Sequence, residues 1–433
     1  MKPQFLRKAY PSMWLLFAVA LLAADAKACT TAVISGKVTA DGRPLLWKNR
    51  DTSTGLHNEV AVITGGKYKA VAVVNAGQRS TVWMGVNEAG FCIENSLSRD
   101  LAIKEDTSGP GNGSLMRMAL QTCATVDDFR RLLEETNVSG RSTIANFGVI
   151  DAHGGAVLFE TGPKTYKLFD ANDPVVAPDG YVVRSNFSTT AQQLEANPTR
   201  KELDKIYSAE RYLRARDILD LCASDKIDLQ EVVRQCCRDM SDDSGKAYAG
   251  TINGPAGELP ESIATTSTIS RTTTVSAVVF HGVKRGENPK LTTMWTMLGD
   301  PKFSIAVPVF PIGHVADPLE DEKGGEIGEI AISLRDWRLT PDRDGVFTSG
   351  LAGMWKDMWS TEDHLISVTL EAKERWAKEG IKVGDVKVLQ TKAAEHAMKA
   401  MQQELIDEKN AALQLTAPAP PEFGTPLATS AAN

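Results

Sequence analysis

The chain contains no uninterrupted apolar run of the roughly 20 residues that a membrane-spanning helix needs. Its longest, Met13–Ala24 (MWLLFAVALLAA), falls short, and nothing later comes near it. It also has no basic block, and its formal net charge is −7, which argues against nucleic acid and anionic membrane as partners. Its six cysteines include no CxxC and its six histidines no HExxH or His/Cys pairing, so a structural zinc site is not expected. A GxSxG elbow and a Walker lysine are missing too; Gly111-Asn112-Gly113-Ser114 is glycine-rich without either. No internal repeat is present. With 42% apolar residues, the composition is that of a folded globular protein.

What is present begins at the N-terminus. Lys2, Arg7 and Lys8 precede the short apolar run, and Ala26-Lys27-Ala28 supplies the small-x-small pattern cut by a signal peptidase. Residues 1–28 therefore read as a signal peptide, and the protein as exported, to the periplasm or outside the cell. Cleavage removes four positive charges and one negative, taking −7 to −10. Beyond it we expect a catalytic domain over 29–312, a helical extension over 313–413 packing on it, and a disordered Pro/Ala-rich tail over 414–433.

Along the chain, TTAVISGKVTA runs through Asp41-Gly42 into RPLLWKNRDT, the pattern of a hairpin. Further strands are predicted at 59–64, 68–74, 80–86 and 90–95, then at 146–151, 156–160, 165–169 and 181–185. Two helices, 114–123 and 126–137, fall between these groups, with Thr125 and Asp128 as capping partners of the second. Helices at 208–223 and 229–240 follow, then a long loop over 241–270 and strands at 276–283, 291–298 and 303–310. The C-terminal part reads as helices at 362–378 and 387–413. Strands and helices in blocks predict an α+β fold of mainly antiparallel sheets.

Cleavage after Ala28 would leave Cys29 as the first residue, with its thiol beside its own α-amine. An α-amine titrates near pH 7.7–8.0 and a thiol near 8.5, so proton transfer between them is nearly balanced. One residue then supplies both nucleophile and base. With Asp41-Gly42 as a two-residue turn, facing residues sum to 83, which puts Asp51 opposite Ala32 and within roughly 10 Å of Cys29. A carboxylate there can orient the amine and tune its proton affinity.

Cys29-Thr30, followed by a strand, a turn and a strand ending in Lys48-Asn49-Arg50-Asp51, resembles the N-terminal-nucleophile amide hydrolases. Within them it is similar to the choloylglycine hydrolase and penicillin V acylase group and to the acyl-coenzyme A:6-aminopenicillanate acyltransferases. Gly85–Asn95 resembles the segment carrying the oxyanion-hole asparagine, which maps to Asn95. Arg184-Ser185-Asn186-Phe187 resembles the strand end with a second active-site asparagine, Asn186. Ser208–Tyr212 resembles the helix start whose arginine, Arg211, lies near the nucleophile and favours its thiolate. Met294–Pro301 has a family look without an assigned role.

The resemblance implies a four-layer αββα sandwich and a cysteine hydrolase of linear amides acting through a thioester on Cys29. The implied site is Cys29, Asp51, Asn95, Asn186 and Arg211, without cofactor or metal, and the implied partner is a small-molecule amide. The family strand carries an arginine three residues before the aspartate. Here that place holds Lys48, with Arg50 beside Asp51, and which of the two takes its role is open. Also open are dipeptidase action, acyl transfer, a homo-oligomer, and a binding protein anchored or cross-linked through Cys29.

Overall fold

The computed structural model describes residues 28–52, 55–101, 108–241 and 259–416. Residues 1–27 of the expected signal peptide, residues 242–258 of the expected loop and residues 417–433 of the expected tail lie outside these. Strands β1 (Cys29–Ile34) and β2 (Leu45–Asp51) form the expected hairpin in a different register. Cys29 faces Arg50 and Ile34 faces Leu45, so facing numbers sum to 79. Asp51 accordingly lies beyond Cys29, its N–H donating to the Ala28 carbonyl at 2.8 Å. Pro44 is one cause: it has no N–H to give a ladder, and its carbonyl accepts from Gly282 instead. Ser35 N–H turns away to the Gly180 carbonyl, and Thr39 bridges to Ile227. Residues 35–44 are thus a loop, not a two-residue turn at Asp41-Gly42.

The next strands are β3 (Asn58–Ile63), β4 (Ala70–Asn75), β5 (Met84–Asn87), β6 (Cys92–Leu97), β7 (Ala145–Ile150), β8 (Ala156–Thr161) and β9 (Tyr166–Asp170). They form one seven-stranded antiparallel meander in chain order. Two helices, α1 (Asn112–Thr122) and α2 (Val126–Ser139), are inserted between β6 and β7 and cover its outer face. Thr125 caps α2: its hydroxyl takes the Asp128 N–H at 3.1 Å while the Asp128 carboxylate takes the Thr125 N–H at 3.0 Å.

Strand β10 (Tyr181–Arg184) returns to pair with β1. After α3 (Thr189–Gln192), α4 (Ala209–Ala223) and α5 (Leu229–Glu231), which leads into a π-helical turn over Val232–Cys236, comes a short strand, β11 (Ser262–Ala264). Strands β12 (Thr274–His281), β13 (Thr293–Leu298) and β14 (Val307–Val309) complete a six-stranded sheet in the order β10-β1-β2-β12-β13-β14. Its outer face packs under α4 and the π-helical turn. The inner faces of the two sheets meet in one apolar core containing Val33, Leu46, Val73, Leu158 and Val278. The architecture is α+β, in four layers: helices, sheet, sheet, helices.

The C-terminal part brings α6 (Glu326–Asp336), β15 (Gly345–Phe347), α7 (Leu351–Glu379) and α8 (Val383–Thr416). β15 pairs with β11. Ala331, Met354, Trp355, Leu365 and Met401 from the three helices join the core between the sheets. The expected strand over 303–310 shrinks to β14, because Pro301–Phe303 forms a 3-10 turn capped by Asp300. Both long helices extend past the expected limits, and α6, β11 and β15 were not expected.

Candidate active site

Side chains alternate across a strand, and that alternation sorts the site into two sides. Leu46, Lys48 and Arg50 of β2 point with Cys29, Thr31 and Val33 of β1 toward the space between the sheets. Trp47 and Asn49 point with Thr30 and Ala32 toward the α4 layer, and Asp51, at the strand end, also borders the space beside Cys29. Inner- and outer-core membership follows this division for Leu46 and Val33 against Trp47 and Ala32.

On the inner side lies a cleft of about 410 Å³ lined by Cys29, Lys48, Arg50, Trp83 and Asn95. Lys48 Nζ donates to the Trp83 carbonyl at 2.8 Å and to Asn95 Oδ1 at 2.9 Å. An ammonium only donates, so Asn95 must turn its oxygen to Lys48 and leave its amide N–H groups for the cleft. The Arg50 guanidinium lies 4.7 Å from the centroid of the Trp83 ring and donates to Asn58 Oδ1 and Asn75 Oδ1. Burial pushes the Cys29 thiol above its ordinary value, while Lys48 and Arg50 pull it back and Asp51 pushes it further up. The thiol is therefore held protonated and needs a base to become a nucleophile.

Beneath the cleft Glu94 is wholly buried, accepting from Thr31 Oγ1 at 2.6 Å and Gly148 N–H at 2.9 Å. A Cβ at residue 148 would sit 2.2 Å from the Glu94 carboxylate, so only glycine leaves room for it.

On the outer side, Asn186 Oδ1 accepts from Cys29 N at 2.7 Å and from Arg211 at 2.8 Å, while its Nδ2 donates to the Leu97 carbonyl at 2.7 Å. Arg211 also donates to the Cys29 carbonyl at 2.6 Å and to Thr30 Oγ1 at 2.9 Å. Arg211 thus grips the backbone around Cys29 from the far side of the sheet. Its hydrogen bonds go to that backbone, to Thr30 and to Asn186, and not to the sulfur, on which Lys48 and Arg50 act from the cleft side. Asp51 Oδ1 accepts from Thr274 Oγ1 at 2.7 Å, and its Oδ2 is buried without a hydrogen bond, 3.8 Å from Arg271. Burial pushes its carboxyl up against the pull of Arg271, Arg211, Thr274 and Lys302.

The four residues named from the sequence beside Cys29 therefore come together around it. The sequence reading assigned nothing to Trp83 or to the start of α1. The glycine run at 111–114 is the one visible signal of the latter. It forms a cleft wall at the N-terminus of α1, with no side chain capping that end. Gly113 is needed there because a Cβ would come within 2.7 Å of the Thr81 Cβ. Trp83 carried no spacing signal at all. All six cysteines are free thiols.

Residues 38–257, just over half of the chain, match the model of the acyl-coenzyme A:6-aminopenicillanic acid acyl-transferase family. The chain belongs to that family. As a family member it is an enzyme of amide C–N bonds. The match begins after Cys29, so the nucleophile itself rests on the resemblance and on the geometry above. Comparison with curated proteins found no match.

Among solved structures, a conjugated bile acid hydrolase variant from Clostridium perfringens is 14% identical, with a TM-score of 0.37 over 62% of this chain and 89% of that one. Penicillin V acylase from Agrobacterium tumefaciens is 15% identical, with a TM-score of 0.37 over 62% and 83%. The Caenorhabditis elegans ortholog of N-acylethanolamine-hydrolyzing acid amidase is 13% identical, with a TM-score of 0.38 over 58% and 92%.

Proposed function

We propose that the protein is an exported cysteine amidohydrolase whose nucleophile and base are both supplied by Cys29, once that residue becomes the N-terminus. The observation that carries this reading is the bond from Cys29 N to Asn186 Oδ1 at 2.7 Å, with Asn186 fixed in orientation by Arg211 and Leu97. A free amine held there gives one N–H to Asn186 and keeps its lone pair for the thiol proton. Asp51, with one buried oxygen unbonded, is the counter-charge for the ammonium that results.

The thiolate attacks the amide carbonyl, and the Asn95 amide N–H donates to the oxyanion as it forms. The ammonium returns its proton to the departing amine, and water clears the thioester. The family's description names an acyl-transferase, which favours a second route in which an amine replaces that water. Competition between water and an added amine for one acyl donor separates the two. Lys48 and Arg50 in the cleft support substrates carrying an acidic group near the scissile bond.

Two measurements test the proposal. The intact mass and N-terminal peptide map of the exported protein, before and after a brief iodoacetamide pulse, should show a chain starting at Cys29. Cys29, at 8% exposure against 0–4% for the other five thiols, should alkylate first. Residues retained ahead of Cys29, or a Cys29 slower than the rest, would sink the reading. Asn95→Ala is expected to lower kcat by about 10²–10³-fold with little change in Tm. An unchanged kcat would move the oxyanion to another donor.

A further inference from the structure

Met294–Pro301 has a family look with no role attached, and the residues at its end lead to the site from behind. Asp300 caps the Pro301–Phe303 turn and lies 2.9 Å from Lys302 Nζ, both side chains being fully buried. Lys302 Nζ has two more acceptors, Ser270 Oγ at 3.1 Å and the Arg271 carbonyl at 3.2 Å. Its three protons thus have three partners, and two of these belong to the segment leading into β12. In that segment Arg271 N–H donates to Thr274 Oγ1 at 2.9 Å, and Thr274 Oγ1 donates to Asp51 Oδ1 at 2.7 Å.

The C-terminal helices reach the same place. Trp355 Nε1 of α7 donates to the Lys302 carbonyl at 2.8 Å, and Arg335 of α6 donates to the Thr272 carbonyl at 3.3 Å. We propose that Lys302 is a positioning residue of the active site, holding the 270–274 segment whose Arg271 and Thr274 grip Asp51, and that the C-terminal helices hold Lys302 in turn through Trp355. This rests on the reading of Asp51 as counter-charge to the Cys29 amine.

Asp51 is faced by Arg271, Thr274, Arg211 of α4 and Lys302 on one side, and by Cys29, Lys48 and Arg50 on the other. Burial pushes its carboxyl up, and Lys302 is one of the cations that pull it down. Removing Lys302 while keeping the fold must then move Asp51 ionisation to higher pH. A lysine that merely fills space would leave that ionisation where it is.

The test is the rate of Cys29 alkylation by iodoacetamide against pH in the processed protein, which needs no substrate. Wild type should show an inflection from Asp51 that is absent in Asp51→Asn. Lys302→Met should raise that inflection by about one pH unit, Lys302→Arg should restore it, and Lys302→Met added to Asp51→Asn should change nothing further. An unmoved inflection in folded Lys302→Met, or an effect that persists without Asp51, overturns the proposal. Should Lys302→Met not fold, Trp355→Phe, which deletes the bond to the Lys302 carbonyl and keeps a smaller aromatic ring, must shift the inflection the same way; no shift there overturns it as well. An Asp51→Asn profile identical to wild type overturns instead the reading of the site on which this rests.

Discussion

A protein carrying one extra residue ahead of Cys29 is expected to fold normally and to lose amide-cleaving activity by about 10²–10⁴-fold, the contribution of a positioned base. The physical change is small and specific. The nitrogen of Cys29 becomes an amide, its lone pair is delocalised into the carbonyl, and it can no longer take the thiol proton. Burial holds that thiol above its ordinary value, so spontaneous ionisation does not replace the base. Misfolding is not the explanation, because the structure has Ala28 in place, with the Cys29–Asn186 bond made and the Ala28 carbonyl bonded to Asp51 N–H. The check pairs kcat/KM with Tm for the blocked and unblocked forms. Equal activity in the two would remove the mechanism, and a fallen Tm would void the comparison of activities.

The largest expected effect on stability comes from Glu362 of α7. Its carboxylate is fully buried and takes both Arg238 nitrogens, at 2.9 and 2.5 Å, with the Ala306 N–H at 2.8 Å and Arg234 at 3.5 Å. Glu362→Gln leaves the buried Arg238 guanidinium facing a neutral amide, while Arg234 keeps Asp363 at 2.5 Å, and should cost about 3–5 kcal/mol, read as a lower urea midpoint at unchanged slope. A midpoint within experimental scatter of wild type would mean that the arginines find other acceptors. The pH dependence has a definite sign. Burial alone would raise the Glu362 carboxyl, but Arg238, Arg234 and the Ala306 N–H outweigh it, so its folded value lies below the unfolded one. The stability it contributes is full above the ordinary glutamate range, near 4.3, and drains away as pH falls toward the depressed folded value. Glu362→Gln should therefore flatten the acid limb of stability as well as lower the plateau.

How much of this was legible in the sequence differs from residue to residue. The hairpin behind Cys29 was visible in its β-branched runs, but its register was not. Pro44 is a local sign that the register can shift, but how far it shifts depends on the Gly180 carbonyl and on Ile227, partners distant in sequence that no local pattern names. Thr125 and Asp128 were readable because a capping box is made within four residues. Asn186 and Arg211 could be placed by resemblance, yet the job of Arg211 could not. Which side of the β1–β2 hairpin it approaches follows from the packing of α4, and it meets the Cys29 backbone rather than the sulfur. Lys48 was noticed only as a departure; its bond to Asn95 depends on the sandwich closing. Helix α6 was missed because glycines at 324, 325 and 328 crowd its start. Gly328 packs against Leu298, where a Cβ would lie 3.2 Å from the leucine Cβ.

Ala28 is 0% exposed in the folded chain, its carbonyl held by Asp51. Under the proposed export, a signal peptidase would meet the Ala28–Cys29 bond only while the hairpin is still open, and cutting would have to win a race against folding. A molecule that folded first would keep the residues ahead of Cys29 and, with no free amine on Cys29, would be inactive under the proposed mechanism. Specific activity would then report the outcome of that race rather than the purity of the sample, and slowing folding during export would raise it without any change of sequence.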